Sequence, residues 1–304
     1  MKKRLLALFL TLGLVCTVLT ACGDGSKGQG GQGNNGGEAV SGGEITVGIA
    51  KDLDDSLDPH RMVTAGTREV LFNLFEGLVK PNSKGELIPA VAERYQLSED
   101  GRTYTFTLRE GVKFHNGNDF TAEDVAYTFP RMLTVEGGVN TEFIDQIKGA
   151  DELLAGETDT LEGVEVVDDY TIKVTLKEPF AGFLASISSP GVSIYDSEAT
   201  EAAGDQFGMD PAVTVGTGPF EFSSWSFNNQ LVLTRNEDYW KGASGLPGVV
   251  IKIIPDTETQ SMMFESGELD ILDLDYAADS VDRFTETYPD QIVQGPRVGI
   301  VYFT

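Results

Sequence analysis

Hydrophobic and polar positions alternate most clearly between Thr103 and Arg109. Tyr104, Phe106 and Leu108 point one way, and Thr103, Thr105, Thr107 and Arg109 the other. That period of two predicts a strand buried on one face. Glu99-Asp100-Gly101 before it is a turn signal. Gly111–Gly117 predicts a short second strand closed by Asn116-Gly117. The period then lengthens. Thr121 reads as an N-cap with Asp124 three residues on, a relative of the capping box, and it starts a helix with Val125, Ala126 and Phe129 on its apolar side. Pro130 lies within that helix, removes a backbone hydrogen bond and predicts a kink or stop near Phe129.

The same reading extends along the chain. Glu44–Ala50 is a strand. Gly66–Glu76 is a helix carrying Val70, Leu71, Leu74 and Phe75, with Gly77 to end it. Phe143–Leu154 is an amphipathic helix capped by Gly156, and Gly163–Leu176 is a hairpin turning at Asp168-Asp169. A short helix over Pro179–Ile187 precedes a strand at Val192–Tyr195. Val249–Ile254 is a buried strand, Thr257 with Gln260 makes a capping box, Gly267 ends that helix, and Val298–Phe303 is a last strand. Strands and helices alternate without a repeating βαβ register and without an internal repeat, which gives an α/β fold with mixed sheets.

The amino terminus departs from this pattern. Lys2, Lys3 and Arg4 precede an apolar run over Leu5–Leu19, followed by Leu19-Thr20-Ala21-Cys22. This predicts a lipoprotein signal over 1–21, cleaved before Cys22, whose thiol carries the lipid. The rival readings are an ordinary signal peptide cut nearby and a spanning helix, for which the run is short. Cys16 would leave with the signal, so Cys22 alone remains and neither a disulfide nor a cysteine metal site is available. Residues 22–43 hold ten glycines and almost no apolar side chain. They form a Gly-rich flexible tether with a reach of about 25 Å.

The formal charge of −26 argues against nucleic acid as a partner and against direct adsorption to anionic lipid. Asp52, Asp54, Asp55 and Asp58 crowd one loop, but the EF-hand glycine and terminal glutamate are missing, so a solvated acidic turn is the reading. His60 and His115 are the only imidazoles, too few for direct metal ligation. No G-x-S-x-G, no H-E-x-x-H and no thiol nucleophile after cleavage support an enzyme.

The run Thr103–Phe129 resembles the signature of the family 5 extracellular solute-binding proteins, the substrate-binding components of peptide- and nickel-type ABC importers. Leu57-Asp58-Pro59, Leu74-Phe75-Glu76-Gly77-Leu78, Gly216-Thr217-Gly218-Pro219-Phe220, Asp238-Tyr239-Trp240-Lys241-Gly242 and Glu268-Leu269-Asp270-Ile271 follow in family order, and Ile88–Tyr95 resembles a short family helix. The resemblance implies a periplasmic-binding-protein-like fold of class II, cluster C type, incomplete because its second lobe is missing. Lobe I would span 44–78 plus 200–303, with a satellite domain at 79–199.

The resemblance further implies a non-enzymatic lipoprotein that captures di- or oligopeptides outside the membrane and delivers them to ABC permease subunits. It would be a monomer, moored through Cys22, with no cofactor. By position, Val63, Thr64 and Ala65 would line the ligand cleft, and Gly216, Thr217 and Gly218 are further ligand-binding candidates. The aspartate that holds a peptide's amino terminus in relatives has no counterpart, so weak peptide binding is expected. A nickel complex, haem or another small solute is the alternative cargo. A surface or signalling lipoprotein is the alternative outside transport.

Overall fold

The structure, a computed structural model, describes residues 43–50, 53–274 and 278–293. In chain order the elements of the first part are β1 (Ile45–Ile49), α1 (Ala65–Leu74), β2 (Val79–Pro81), β3 (Leu87–Pro89), β4 (Ala92–Leu97), β5 (Thr103–Leu108) and α2 (Ala122–Thr134). There follow α3 (Ala150–Leu154), β6 (Val164–Asp168), β7 (Thr171–Thr175), α4 (Phe183–Ser186) and α5 (Ser197–Ala203). The last are β8 (Phe220–Ser226), β9 (Gln230–Arg235), β10 (Gly248–Ile253), α6 (Thr257–Glu265), β11 (Ile271–Leu272) and α7 (Ala278–Thr287).

The alternating stretch does form a strand. β5 lies inside the antiparallel sheet β4-β5-β7-β6. Its buried Tyr104 and Phe106 oppose Val174 and Ile172 of β7, which are also buried. The Tyr104 ring lies 5.0 Å from that of Phe183. Val125, Phe129 and Met132 of α2 complete this core. Each large side chain removed from water here contributes ~1.5–3 kcal/mol.

A second sheet, in the order β11-β1-β10-β9-β8, is mixed. β1 pairs in parallel with β10 and β11, while β10, β9 and β8 run antiparallel. The connection β10–α6–β11 therefore steps over β1. Gly48 makes room for it: a Cβ there would lie 2.6 Å from Leu269 and 3.2 Å from Gln260. The core on this sheet draws on residues from Ile49 to Phe75 and again from Tyr195 to Ile251, with the other core occupying the interval between.

Several local expectations are corrected. Ile88–Tyr95 is not helical: β3 ends at Pro89, and β4 pairs with β5, so Tyr95 faces Phe106. Filling the open edge of β5 outweighs the helix propensity of the Ala-Val-Ala-Glu-Arg run. Pro130 does not stop α2, which continues to Thr134. Phe129 before the proline and Met132 and Leu133 after it are buried in one core, and that packing carries the helix across the missing bond. The helix expected over Gly66–Glu76 closes at Leu74, and Phe75 is already extended, so Gly77 is not its end. The helix expected over Phe143–Leu154 is broken at Gly149, whose φ is +85°, leaving a 3-10 turn at Thr141–Phe143 and then α3.

The strand expected at Gly111–Gly117 is a single bridge between Lys113 and Asp119. The helix over Pro179–Ile187 shrinks to α4. Val192–Tyr195 is buried but joins no ladder, since Ile194 N–H is taken by Glu76 O and Tyr195 N–H by Thr128 Oγ1. Asp256, not Thr257, caps α6, accepting Thr259 N–H at 2.8 Å, while Gln260 Nε2 donates to Ile254 O at 2.6 Å. Asp124 does accept Thr121 N–H at 2.9 Å, and the hairpin Gly163–Leu176 is formed by β6 and β7. The signal, Cys22, the tether through residue 42 and the strand expected at Val298–Phe303 lie outside the described residues.

Candidate functional site

The strap Met62–Thr64 joins a 3-10 turn at Pro59–Arg61 to α1. Its backbone is tied on both sides. Asp54 Oδ2 accepts Val63 N–H at 2.8 Å, and the two carboxylate oxygens accept Thr64 N–H at 3.2 and 3.1 Å. Asn140 Nδ2 donates to Met62 O at 2.8 Å. Thr64 caps α1, its Oγ1 accepting Thr67 N–H at 3.2 Å. Thr67 Oγ1 in turn accepts Asp54 N–H at 2.7 Å, which closes a ring of bonds around the strap. Between these ties the Val63 side chain stands 73% exposed.

A buried ionic cluster lies beneath the strap. Asp58 caps the 3-10 turn, with Oδ1 accepting His60 N–H at 3.0 Å. Arg131 of α2 donates to both Asp58 oxygens, Nη2 to Oδ2 at 2.8 Å and Nη1 to Oδ1 at 3.2 Å. Tyr195 Oη donates to Asp58 Oδ1 at 2.8 Å, and the Arg131 guanidinium sits 4.9 Å from the Tyr195 ring centre. Burial alone would raise the Asp58 pKa, but the Arg131 bonds and charge, with smaller help from the Tyr195 hydroxyl, bring it below the ordinary value.

Burial pushes His60 down to about 3. It is neutral, and because Arg131 Nη1 can only donate to its Nδ1, at 2.9 Å, the proton resides on Nε2. The acidic loop is therefore not simply solvated, as its composition suggests: Asp54 and Asp58 are internal acceptors. Removing one partner from a buried pair such as Asp58–Arg131 costs ~3–5 kcal/mol.

Gly216–Gly218 lies at the other end of α1. A Cβ on Gly216 would come within 2.2 Å of Leu74 O, and one on Gly218 within 2.5 Å of Asn73 O. Only glycine allows this approach. His115 clamps the turn: Nδ1 accepts Gly216 N–H at 3.1 Å and Nε2–H donates to Gly218 O at 3.1 Å. Its own N–H goes to Gly216 O at 2.9 Å. Burial lowers His115 to about 4, in keeping with this neutral tautomer. Thr217 is fully buried. A helix of ten residues separates this turn from Val63–Ala65 by about 15 Å, so the two groups of candidates are not brought together.

Motif residues nearby are likewise consumed in packing. Buried Glu76 accepts from Lys80 Nζ at 2.7 Å, Tyr239 Oη at 3.0 Å and Trp240 Nε1 at 2.6 Å. Among the described residues, no group of three or more His, Cys, Asp or Glu side chains is placed to hold a metal ion. Asp54, Asn140, Arg131 and Tyr195 were missed from sequence. The crowding of acids around Leu57-Asp58-Pro59 was a signal for the first. Nothing local marks the other three, which act across 67 residues or more.

The fold places the chain in a class, the periplasmic-binding-protein-like α/β proteins. The Escherichia coli murein tripeptide binding protein MppA matches it with a TM-score of 0.74 and 28% identity, over 82% of this chain and 49% of that one. The family model for bacterial extracellular solute-binding proteins, family 5 Middle, matches residues 86–304, and the chain belongs to that family. The dipeptide-binding protein DppE of Bacillus subtilis is 30% identical over 272 residues, covering 88% of this chain and 49% of the relative. Heme-binding protein A of Haemophilus influenzae is 35% identical over 212 residues, covering 66% and 38%. The chain thus spans about half the length of DppE, and less of the heme-binding protein.

Proposed function

We propose that the chain is part of the substrate-binding lipoprotein of an ABC importer, capturing di- or oligopeptides outside the membrane and handing them to a permease. The carrying observation is the strap: Val63 is exposed on a backbone held rigid by Asp54 and Asn140. A preformed, tied edge binds an extended ligand without the cost of ordering itself. Val63, Thr64 and Ala65 are the ligand-facing positions, and Gly216–Gly218 supports them through α1. Residues 44–78 plus 200–303 form lobe I and 79–199 a satellite domain, a division supported by the two separate cores. Capture follows from hinge closure against a second lobe, with the ligand favouring the closed form.

On this reading the molecule is a monomeric binder and not an enzyme, and Asp58, Arg131 and His60 are spent on one another. Cys22 carries the lipid. Haem is the second cargo to weigh, because one relative is named for binding it. Calorimetry on the lipid-free protein separates the two: weak heat is expected on adding a tripeptide and none on adding haem. The reverse result overturns the peptide reading.

A further inference from the structure

Just beyond α1, Glu76 is buried at 3% exposure and both its oxygens are engaged. Oε1 accepts from Lys80 Nζ at 2.7 Å and from Tyr239 Oη at 3.0 Å, and Oε2 accepts from Trp240 Nε1 at 2.6 Å. A second ammonium, Lys241 Nζ, faces the same Oε1 at 3.9 Å, beyond hydrogen-bond range. It rests instead over the Trp240 ring, 4.2 Å from the centre, and the Arg109 guanidinium lies 4.7 Å from that centre. Arg109 Nε donates to Ala90 O at 2.8 Å, and among the described residues neither Nη has a protein acceptor.

Lys80, Lys241 and Arg109 therefore bring three positive charges to a single carboxylate, and among the described residues no other acid forms an ion pair with any of them. Glu93, Glu110 and Asp168 line a cleft of about 700 Å³ beside Arg109 and Trp240, but Glu93 is paired with Arg94 at 2.9 Å and the other two are exposed. Burial and the neighbouring Lys80 hold the Lys241 pKa down to about 8 despite Glu76. Cations crowded in this way repel one another unless an anion joins them. The surplus is the reverse of the whole chain, whose formal charge is −26.

We infer that Lys80, Lys241 and Arg109 form an oxyanion site beside the Trp240 ring, and that its ligand is a small soluble dianion of the phosphate class. Two negative charges balance the surplus that Glu76 leaves. The two ammonium groups attract the anion as point charges, and the free Nη groups of Arg109 supply a planar fork for two of its oxygens. Glu76 is a positioning residue: it anchors Lys80 and the indole, and its own oxygens are already taken. The net acidity of the chain repels anionic bilayers, so the phosphoryl group belongs to a soluble molecule and not to a lipid headgroup. The site is separate from the strap, which precedes α1 while Glu76 follows it.

Trp240 and Trp225 are the only tryptophans, so the chain carries its own control. Inorganic phosphate is titrated into the 304-residue protein at about pH 7.5, where it is mainly the dianion, with ionic strength held constant by sodium chloride. The indole N–H signals are followed by nuclear magnetic resonance. The Trp240 signal should move along a saturating curve while that of Trp225 stays in place. The Lys241 pKa, read from its Cε signal, should rise above about 8 when phosphate is bound. Lys241→Gln should weaken binding by roughly tenfold or more, and Lys241→Arg should restore most of it, with β10 amides unchanged as the control for folding. The exposed Lys84→Gln should bind like the wild type. A linear drift, or a curve that Lys241→Gln leaves unaltered, would show that salt merely screens these cations and would sink the inference. A response to vesicles of phosphatidylcholine with phosphatidic acid, but none to phosphate, would overturn the soluble ligand.

Discussion

Asp58 is 1% exposed yet stays ionised, because its oxygens meet the Arg131 guanidinium and the Tyr195 hydroxyl. His60 beside it is the opposite case: burial holds it neutral down to about 3, and its Nε2–H has no partner among the described residues. Their pH effects have signs that can be worked out. A histidine whose folded pKa lies below its unfolded value of about 6.5 binds more protons when unfolded, so stability falls as the pH drops from about 6.5 toward the folded value. His60 contributes a slope approaching ~1.4 kcal/mol per pH unit in that window. His115, lowered to about 4 by burial, adds to it in the same direction. The Asp58 contribution is lost only further down, as pH falls through its depressed pKa. Urea unfolding of the wild type between pH 6.5 and 4.5 should show this decline, and His60→Asn should flatten it by about half. A slope unchanged by that substitution would mean His60 is protonated in the fold.

At the scale of elements, α2 tests how far packing overrides a local rule. Pro130 cannot donate a backbone bond, yet the helix runs to Thr134 with Phe129, Met132 and Leu133 buried around it. A mid-helix proline costs ~3 kcal/mol relative to alanine, which packing offsets here. Pro130→Ala should therefore stabilise the protein by ~1–3 kcal/mol, read as a raised denaturant midpoint with unchanged m-value. A loss of stability would show that the proline ring fills a need of its own. α1 presents the complementary lesson. Its start was legible in the Leu57–Gly77 motifs, but its end was not, because Gly218 N–H takes Leu74 O and the glycine turn sits against its last residues.

Over the whole molecule, the two cores divide the chain in an order that sequence periodicity alone does not reveal. α2 and the Asp58 cluster join them, with Arg131 reaching from one to the other. The strong acidity, −26 in formal charge, argues against direct adsorption to an anionic membrane. Among the described residues no helix is long and apolar enough to cross a membrane. The proposed attachment through Cys22 predicts that mass spectrometry of the protein from its native host finds a diacylglyceryl modification on that residue. A free thiol there would remove the anchor from the reading.

The motif order carried the family resemblance, while alternation in Thr103–Arg109, the capping acid at Asp124 and the hairpin at Asp168-Asp169 pointed to the mixed α/β class. Each depends on neighbours within a few residues, where steric and hydrogen-bonding preferences act directly. Tertiary structure alone decided that Ile88–Tyr95 is extended, that Pro130 is tolerated, that Asp54 accepts from the strap and that Asp58 is buried. It also separated Val63–Ala65 from Gly216–Gly218 by the length of α1. Those outcomes turn on which distant groups arrive to accept, donate or fill space, and that depends on the completed packing, not on the local order of residues.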